Sequence, residues 1–107
     1  VSLDADQIYN LVMQAGLDWT DKEAAAHILE ETKSIVLAEL INQQPQTLGV
    51  AAKENEAKAD PAYRLHITNM VTARKEANRA RVKYKSAEML AELRRSQEST
   101  RRQEMKL

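Results

Sequence analysis

The residues best equipped for chemistry are two histidines and a run of arginines and lysines. His27 lies four residues from both Glu23 and Glu31, and three from Glu30. On a helix such spacings share a face, so the imidazole and these carboxylates are placed to converge on one metal ion. Carboxylate-bridged metal bundles, however, draw a Glu-x-x-His motif from more than one helix. None occurs here. One histidine among carboxylates reads instead as a solvated acidic face, and no metal is expected. His66 has no neighbour in sequence that would make it a base. Serines and threonines occur without a nucleophile elbow or a triad order, and two isolated glycines cannot form a phosphate loop. The absence of cysteine removes disulfides, thiolate metal sites and a thiol nucleophile. The chain is expected to be neither an enzyme nor a cofactor carrier.

The cations offer a different chemistry. Arg74, Arg81, Lys85 and Arg95 fall along one edge of a helical pattern, with Lys75, Arg79 and Lys83 nearby. A helix so furnished can contact phosphates, with an affinity that falls steeply with salt. Arg74, Arg79, Arg81, Lys83, Lys85 and Arg95 are therefore the candidate nucleic-acid contacts. Glu76, Glu88 and Glu92 interrupt the run, and no helix-turn-helix, zinc finger or aromatic stacking platform is recognisable. The charge distribution favours another use. Residues 1–57 hold ten Asp and Glu against three Lys and Arg, whereas residues 71–107 hold eleven Lys and Arg against five Glu. In a chain with zero formal charge, such halves are suited to face each other, within a subunit or between subunits.

The elements that would position these residues are helices. Two Gly and two Pro in 107 residues argue against a turn-rich β fold. Asp4-Ala5-Asp6-Gln7 has the form of a capping box, with Leu3 placed to staple onto Ile8. Ile8, Leu11, Val12 and Ala15 then repeat at helical spacing, and Gly16 suits a C-terminal stop. These signals predict a first helix over about 5–15. Leu17-Asp18-Trp19 would connect it to a second capping box, Thr20-Asp21-Lys22-Glu23, and a second helix over about 21–43. Trp19 is expected to seal the corner between them. The second helix carries a broad apolar stripe of Ala25, Ile28, Leu29, Thr32, Ile35, Val36, Leu40 and Ile41. Pro45 ends it, and an Ala-rich stretch over 48–58 is expected to form a weak short helix.

After Asp60-Pro61, an N-cap and a first-turn proline, neither Gly nor Pro recurs. One helix over about 61–105 follows, on the order of 65–70 Å at 1.5 Å per residue. Within it Met70, Ala73, Ala77, Ala80, Tyr84, Ala87 and Ala91 fall at alternating four- and three-residue spacings. That is a heptad seam of mostly small residues, and it is expected to support self-association. A second cluster, Val82, Met89, Leu90 and Leu93, lies on a different side. A helix that is apolar on two sides usually touches two neighbours: either one in its own chain and one in a partner subunit, or the first two helices of its own chain on both faces. From Arg94 onward no core stripe remains, and this end is expected to fray unless a partner covers it.

The fold class expected is all-α: a helical hairpin or small bundle in one domain, with a long C-terminal helix and coiled-coil-like self-association. A homo-oligomer is the expected assembly, with a protein partner as a further possibility and nucleic acid as the alternative. No apolar run approaches the roughly 18 residues needed to span a bilayer, which sets the expectation of a cytoplasmic, non-membrane protein. The segment 73–84 (ARKEANRARVKY), followed by Ala91-Glu92-Leu93-Arg94-Arg95 and Arg101-Arg102, resembles small helical proteins encoded in phage and prophage genomes. The resemblance covers about the last half of the chain. It implies a phage origin, a bacterial host cytoplasm, and for some such proteins a place among replication or recombination genes. It carries over no functional residue.

Overall fold

The computed structural model describes residues 3–106, which form three α-helices: α1, Ala5–Asn42; α2, Val50–Ala59; and α3, Pro61–Lys106. The chain is all-α with a long C-terminal helix, as its composition and periodicity require. It divides into two compact units, and the boundary falls inside both long helices. Unit 1 joins the chain up to Asp21 with the chain from Asn78 onward, and unit 2 is Lys22–Ala77.

The capping signals at Asp4 and Asp60 work as written in the sequence. The Asp4 backbone N–H donates to Gln7 Oε1 at 2.9 Å, and the Gln7 N–H donates to Asp4 Oδ1 at 2.8 Å. Two of the N–H groups that a helix start leaves unsatisfied are thereby paired. Leu3 is half-buried and Ile8 is buried. At the start of α3 the Ala62 N–H donates to Asp60 Oδ1 at 2.8 Å, and Pro61 occupies the first helical position.

The expected break at residues 16–20 does not occur. α1 runs through Gly16, Trp19 and Thr20 as one helix, in place of helices over 5–15 and 21–43. A glycine stop needs a left-handed backbone, and no described residue has positive φ. The Thr20 hydroxyl, expected to cap a new helix, donates back to the Gly16 carbonyl at 2.9 Å, which is a mid-helix arrangement. Gly16 has a packing reason instead. A Cβ there would lie 3.0 Å from Tyr84 Cε1 and 3.3 Å from Cδ1. The glycine lets the tyrosine ring lie against the α1 backbone, and Trp19 packs beside it at 5.4 Å between ring centroids. Trp19 therefore seals no corner; it belongs to the α1–α3 joint of unit 1.

In unit 2 the buried face of α1 keeps most of the stripe periodicity suggests and is shifted at one edge. Of the expected stripe, Leu40 is buried and Leu29, Thr32, Val36 and Ile41 are half-buried, whereas Ala25, Ile28 and Ile35 are exposed; Ala26 and Leu37 are covered in their place. Pro45 ends the helical run as expected, and the Gln44 side chain donates to the Leu40 carbonyl at 3.2 Å. α2 begins two residues later than the sequence suggests, after Gly49, and buries Ala57. α3 remains helical to Lys106 although every residue from Ser96 to Lys106 is exposed. Arg94–Glu98 at 3.5 Å and the Thr100 hydroxyl on the Ser96 carbonyl at 3.1 Å are among the local interactions along that end.

Candidate interaction surface

The Ala seam of α3 is occupied within the chain. Ala77, Ala80 and Ala87 are buried, and Met70, Ala73, Tyr84 and Ala91 are half-buried. In unit 2 this side of α3 meets α1 where His66 Nε2 lies 2.7 Å from the Leu29 carbonyl. A carbonyl only accepts, so Nε2 carries the proton and donates. In unit 1 the same side meets α1 where Tyr84 lies over Gly16 and beside Trp19. Small side chains here let the helix axes approach closely. A seam covered in this way is not open to a second chain, so the expectation that it forms the oligomer contact is corrected to an intrachain role.

The second apolar cluster stands free. Val82 is 65% exposed, Met89 71% and Leu93 56%, on the side of α3 turned away from the Ala seam. In unit 1 an open groove of about 570 Å³ runs beside it, lined by Leu11 and Ala15 of α1 and by Val82, Lys83, Ala87 and Leu90 of α3. Its walls are chiefly hydrocarbon, and Leu11, Val82 and Leu90 stay exposed along its length. Adjacent exposed apolar side chains of this kind mark association surfaces rather than ordinary scattered hydrophobics.

Of the four cations that share one edge of α3, Arg74, Lys85 and Arg95 have carboxylate partners and Arg81 is exposed. Arg74 is clamped between two α1 carboxylates, with Nη1 donating to Glu23 Oε2 at 2.7 Å, Nη2 to Glu30 Oε1 at 2.6 Å and Nε to Glu30 Oε2 at 2.8 Å. The fork contacts both oxygens of Glu30, the bidentate geometry that makes Arg–carboxylate pairs strong. Its hydrogen bond holds the Glu30 carboxyl below its usual range, and the hydrogen bonds it donates to Glu30 and Glu23 raise Arg74 further. Lys85 pairs with Glu88 at 3.5 Å, and Arg95 with Glu92. Arg79, Arg81 and Lys83 are exposed. At about 100° per residue, Arg79 and Lys83 share one flank of α3 while Arg81 points well away from them.

The same clamp engages two of the carboxylates near His27. Glu23 and Glu30 turn to Arg74, leaving His27 Nε2 with Glu31 at 3.6 Å. Among the described residues no group of three His, Cys, Asp or Glu is placed to hold an ion. No described helix is long and apolar enough to cross a membrane.

Sequence reasoning missed the Glu23–Arg74–Glu30 clamp, although its charge asymmetry was the available signal. It also missed the Gly16–Tyr84 contact, for which local sequence offers none. No protein-family model, curated protein or solved structure matches the chain.

Proposed function

We propose that this chain is a non-catalytic helical interaction protein that associates with itself through the exposed apolar face of unit 1. The observation that carries the reading is the contrast on α3 between a covered Ala seam and the open Val82–Leu93 side, bordered by the Leu11–Leu90 groove. The residues best suited to chemistry have structural partners: Glu23 and Glu30 hold Arg74, and His66 donates to a backbone carbonyl. No ionisable side chain among the described residues is buried, which also favours a binding role over a catalytic one. Its resemblance to phage-encoded helical proteins supports an accessory role in such a genome.

Light scattering behind size exclusion tests the reading. A mass clearly above the 12.1 kDa of one chain is expected. Val82→Glu or Leu90→Glu should return the protein to monomer without loss of helicity, because both side chains are already exposed. A monomer at high concentration would defeat the proposal. Adding mixed single- and double-stranded DNA at low salt discriminates the nucleic-acid alternative. A salt-reversible shift, abolished by Arg79→Glu with Lys83→Glu, would make the basic flank the site instead.

A further inference from the structure

The exposed side of α3 has a sequence pattern that specifies how a second copy would lie on it. Val82, Ser86, Met89 and Leu93 are spaced by four, three and four residues, a heptad seam on the side away from α1. Lys85 and Glu92 flank this seam on one edge, with Lys83 and Leu90 on the other. Arg79 and Ser96, where the pattern continues, are polar, so the apolar stretch is short and bounded at both ends.

Resting on the self-association reading above, we propose that two copies pair through α3 antiparallel, about a two-fold axis passing between Ser86 and Met89. In that register Val82 packs against Leu93 of the second copy, and Ser86 against Met89 of the second copy. The two-fold then repeats both layers, so the four seam residues form four layers with no end unmatched. Antiparallel helices bring like edges together. Lys85 therefore faces Glu92 of the second copy, and Glu92 faces its Lys85. On the other edge the aliphatic stem of Lys83 lies over Leu90 of the second copy.

Parallel pairing of the same stripe loses this complementarity. Each flank then meets the opposite edge of its partner, setting Lys85 against Leu90 and Glu92 against Gln97, with no opposite charges across the seam. Charge complementarity thus selects both the occupant, a second copy, and its direction. The competing contacts are weak. Lys85–Glu88 and Glu92–Arg95 are three-residue pairs on exposed side chains, and such pairs are worth little. Lys85 and Glu92 can exchange these partners for each other at small cost.

The chain has no cysteine, so Ser99→Cys gives one spin-label site, off the seam and on an exposed turn. In the antiparallel pair the two labels sit roughly 23 residues apart along the axis, about 35 Å at 1.5 Å per residue. In a parallel pair they sit side by side at about 10–20 Å, an interaxial spacing plus the label arms. Dipolar distance measurement is run alongside the mass measurement on the full chain. Lys85→Glu should weaken the dimer about tenfold, because two attractive exposed pairs become repulsive. Lys85→Glu with Glu92→Lys should restore it. A dimer with the short distance overturns the antiparallel arrangement while leaving self-association intact. A monomer overturns self-association and the arrangement together. A long distance without rescue by the charge exchange overturns the Lys85–Glu92 register.

Discussion

In unit 2, α3 is tied to α1 by the Arg74 fork on Glu23 and Glu30 and by the His66 bond to the Leu29 carbonyl. In unit 1 the same two helices meet through Tyr84 lying on Gly16, with Trp19 beside it. The first joint is polar and directional: a planar guanidinium engaging both oxygens of one carboxylate fixes the register of the two helices. The second is a close steric fit, insensitive to salt but intolerant of added volume. Unit 1 is also where exposed apolar side chains line a groove. One pair of helices thus serves two purposes, a pinned segment and a segment with a surface to offer.

The largest effect that tests this contrast is a charge placed on the covered side of α3. Ala77 has no exposed surface, so Ala77→Glu must expel the carboxylate or bury it unpaired. A loss of about 3 kcal/mol or more in unfolding free energy is expected, read by thermal melting of the helical signal. The same substitution at Val82, 65% exposed, should lower the mass and cost the melt only the concentration-dependent part that association contributes. If the two variants melt alike, the covered and open sides of α3 have been wrongly distinguished.

Next in size is Gly16. Leucine there would drive carbon atoms into the Tyr84 ring, and about 1–3 kcal/mol of destabilisation is expected from overpacking. Alanine is the sharper probe. It gains about 1 kcal/mol of helix propensity over glycine, against a contact 3.0 Å from Tyr84 Cε1 that the ring must relieve. The two effects oppose, so Gly16→Ala should be close to neutral and should change Trp19 fluorescence through the displaced tyrosine. A full propensity gain with unchanged fluorescence would show that the ring does not press on the backbone.

These two sites show which parts of the fold local sequence can encode. The capping box at Asp4 and the N-cap at Asp60 were legible because both partners lie within three residues of each other. Helical class, the Pro45 break and the length of α3 follow from periodicity and from where glycine and proline are absent. Gly16 was misread because a glycine stop and a glycine contact look alike in one dimension. Only the Tyr84 ring, far along the chain, distinguishes them. Thr20 misled in the same way, since its hydroxyl serves a cap or a mid-helix carbonyl equally well. The Ala seam was recognised as a contact surface, but its spacing cannot say whose helix lies on it. For the candidate interface, the Val82–Leu93 cluster was visible in sequence, while its exposure and the Leu11–Leu90 groove required the fold.

The smallest expected effects are also the most selective, because the two joints titrate at opposite ends of the pH range. The Arg74 hydrogen bond lowers the Glu30 pKa below 4.5. A lowered carboxyl pKa contributes stability that is fully present above the unfolded value and is lost as pH falls through the folded one. Below about pH 4.5 the melting temperature should therefore fall more for the native chain than for Glu30→Gln, which at neutral pH starts lower. Tyr84 behaves in the reverse sense. Its hydrogen bond to Glu88, the charge of that carboxylate and partial burial push the phenol above 10.0. Its contribution is present below the unfolded value and is lost as pH rises through the folded one. Tyr84→Phe keeps the ring on Gly16 but removes the proton, so only the alkaline loss should shrink, followed through Trp19, the chain's one tryptophan. If Glu30→Gln instead altered the alkaline limb, or Tyr84→Phe the acid limb, the two joints would not be independent, and the polar and steric segments would have to be treated as one.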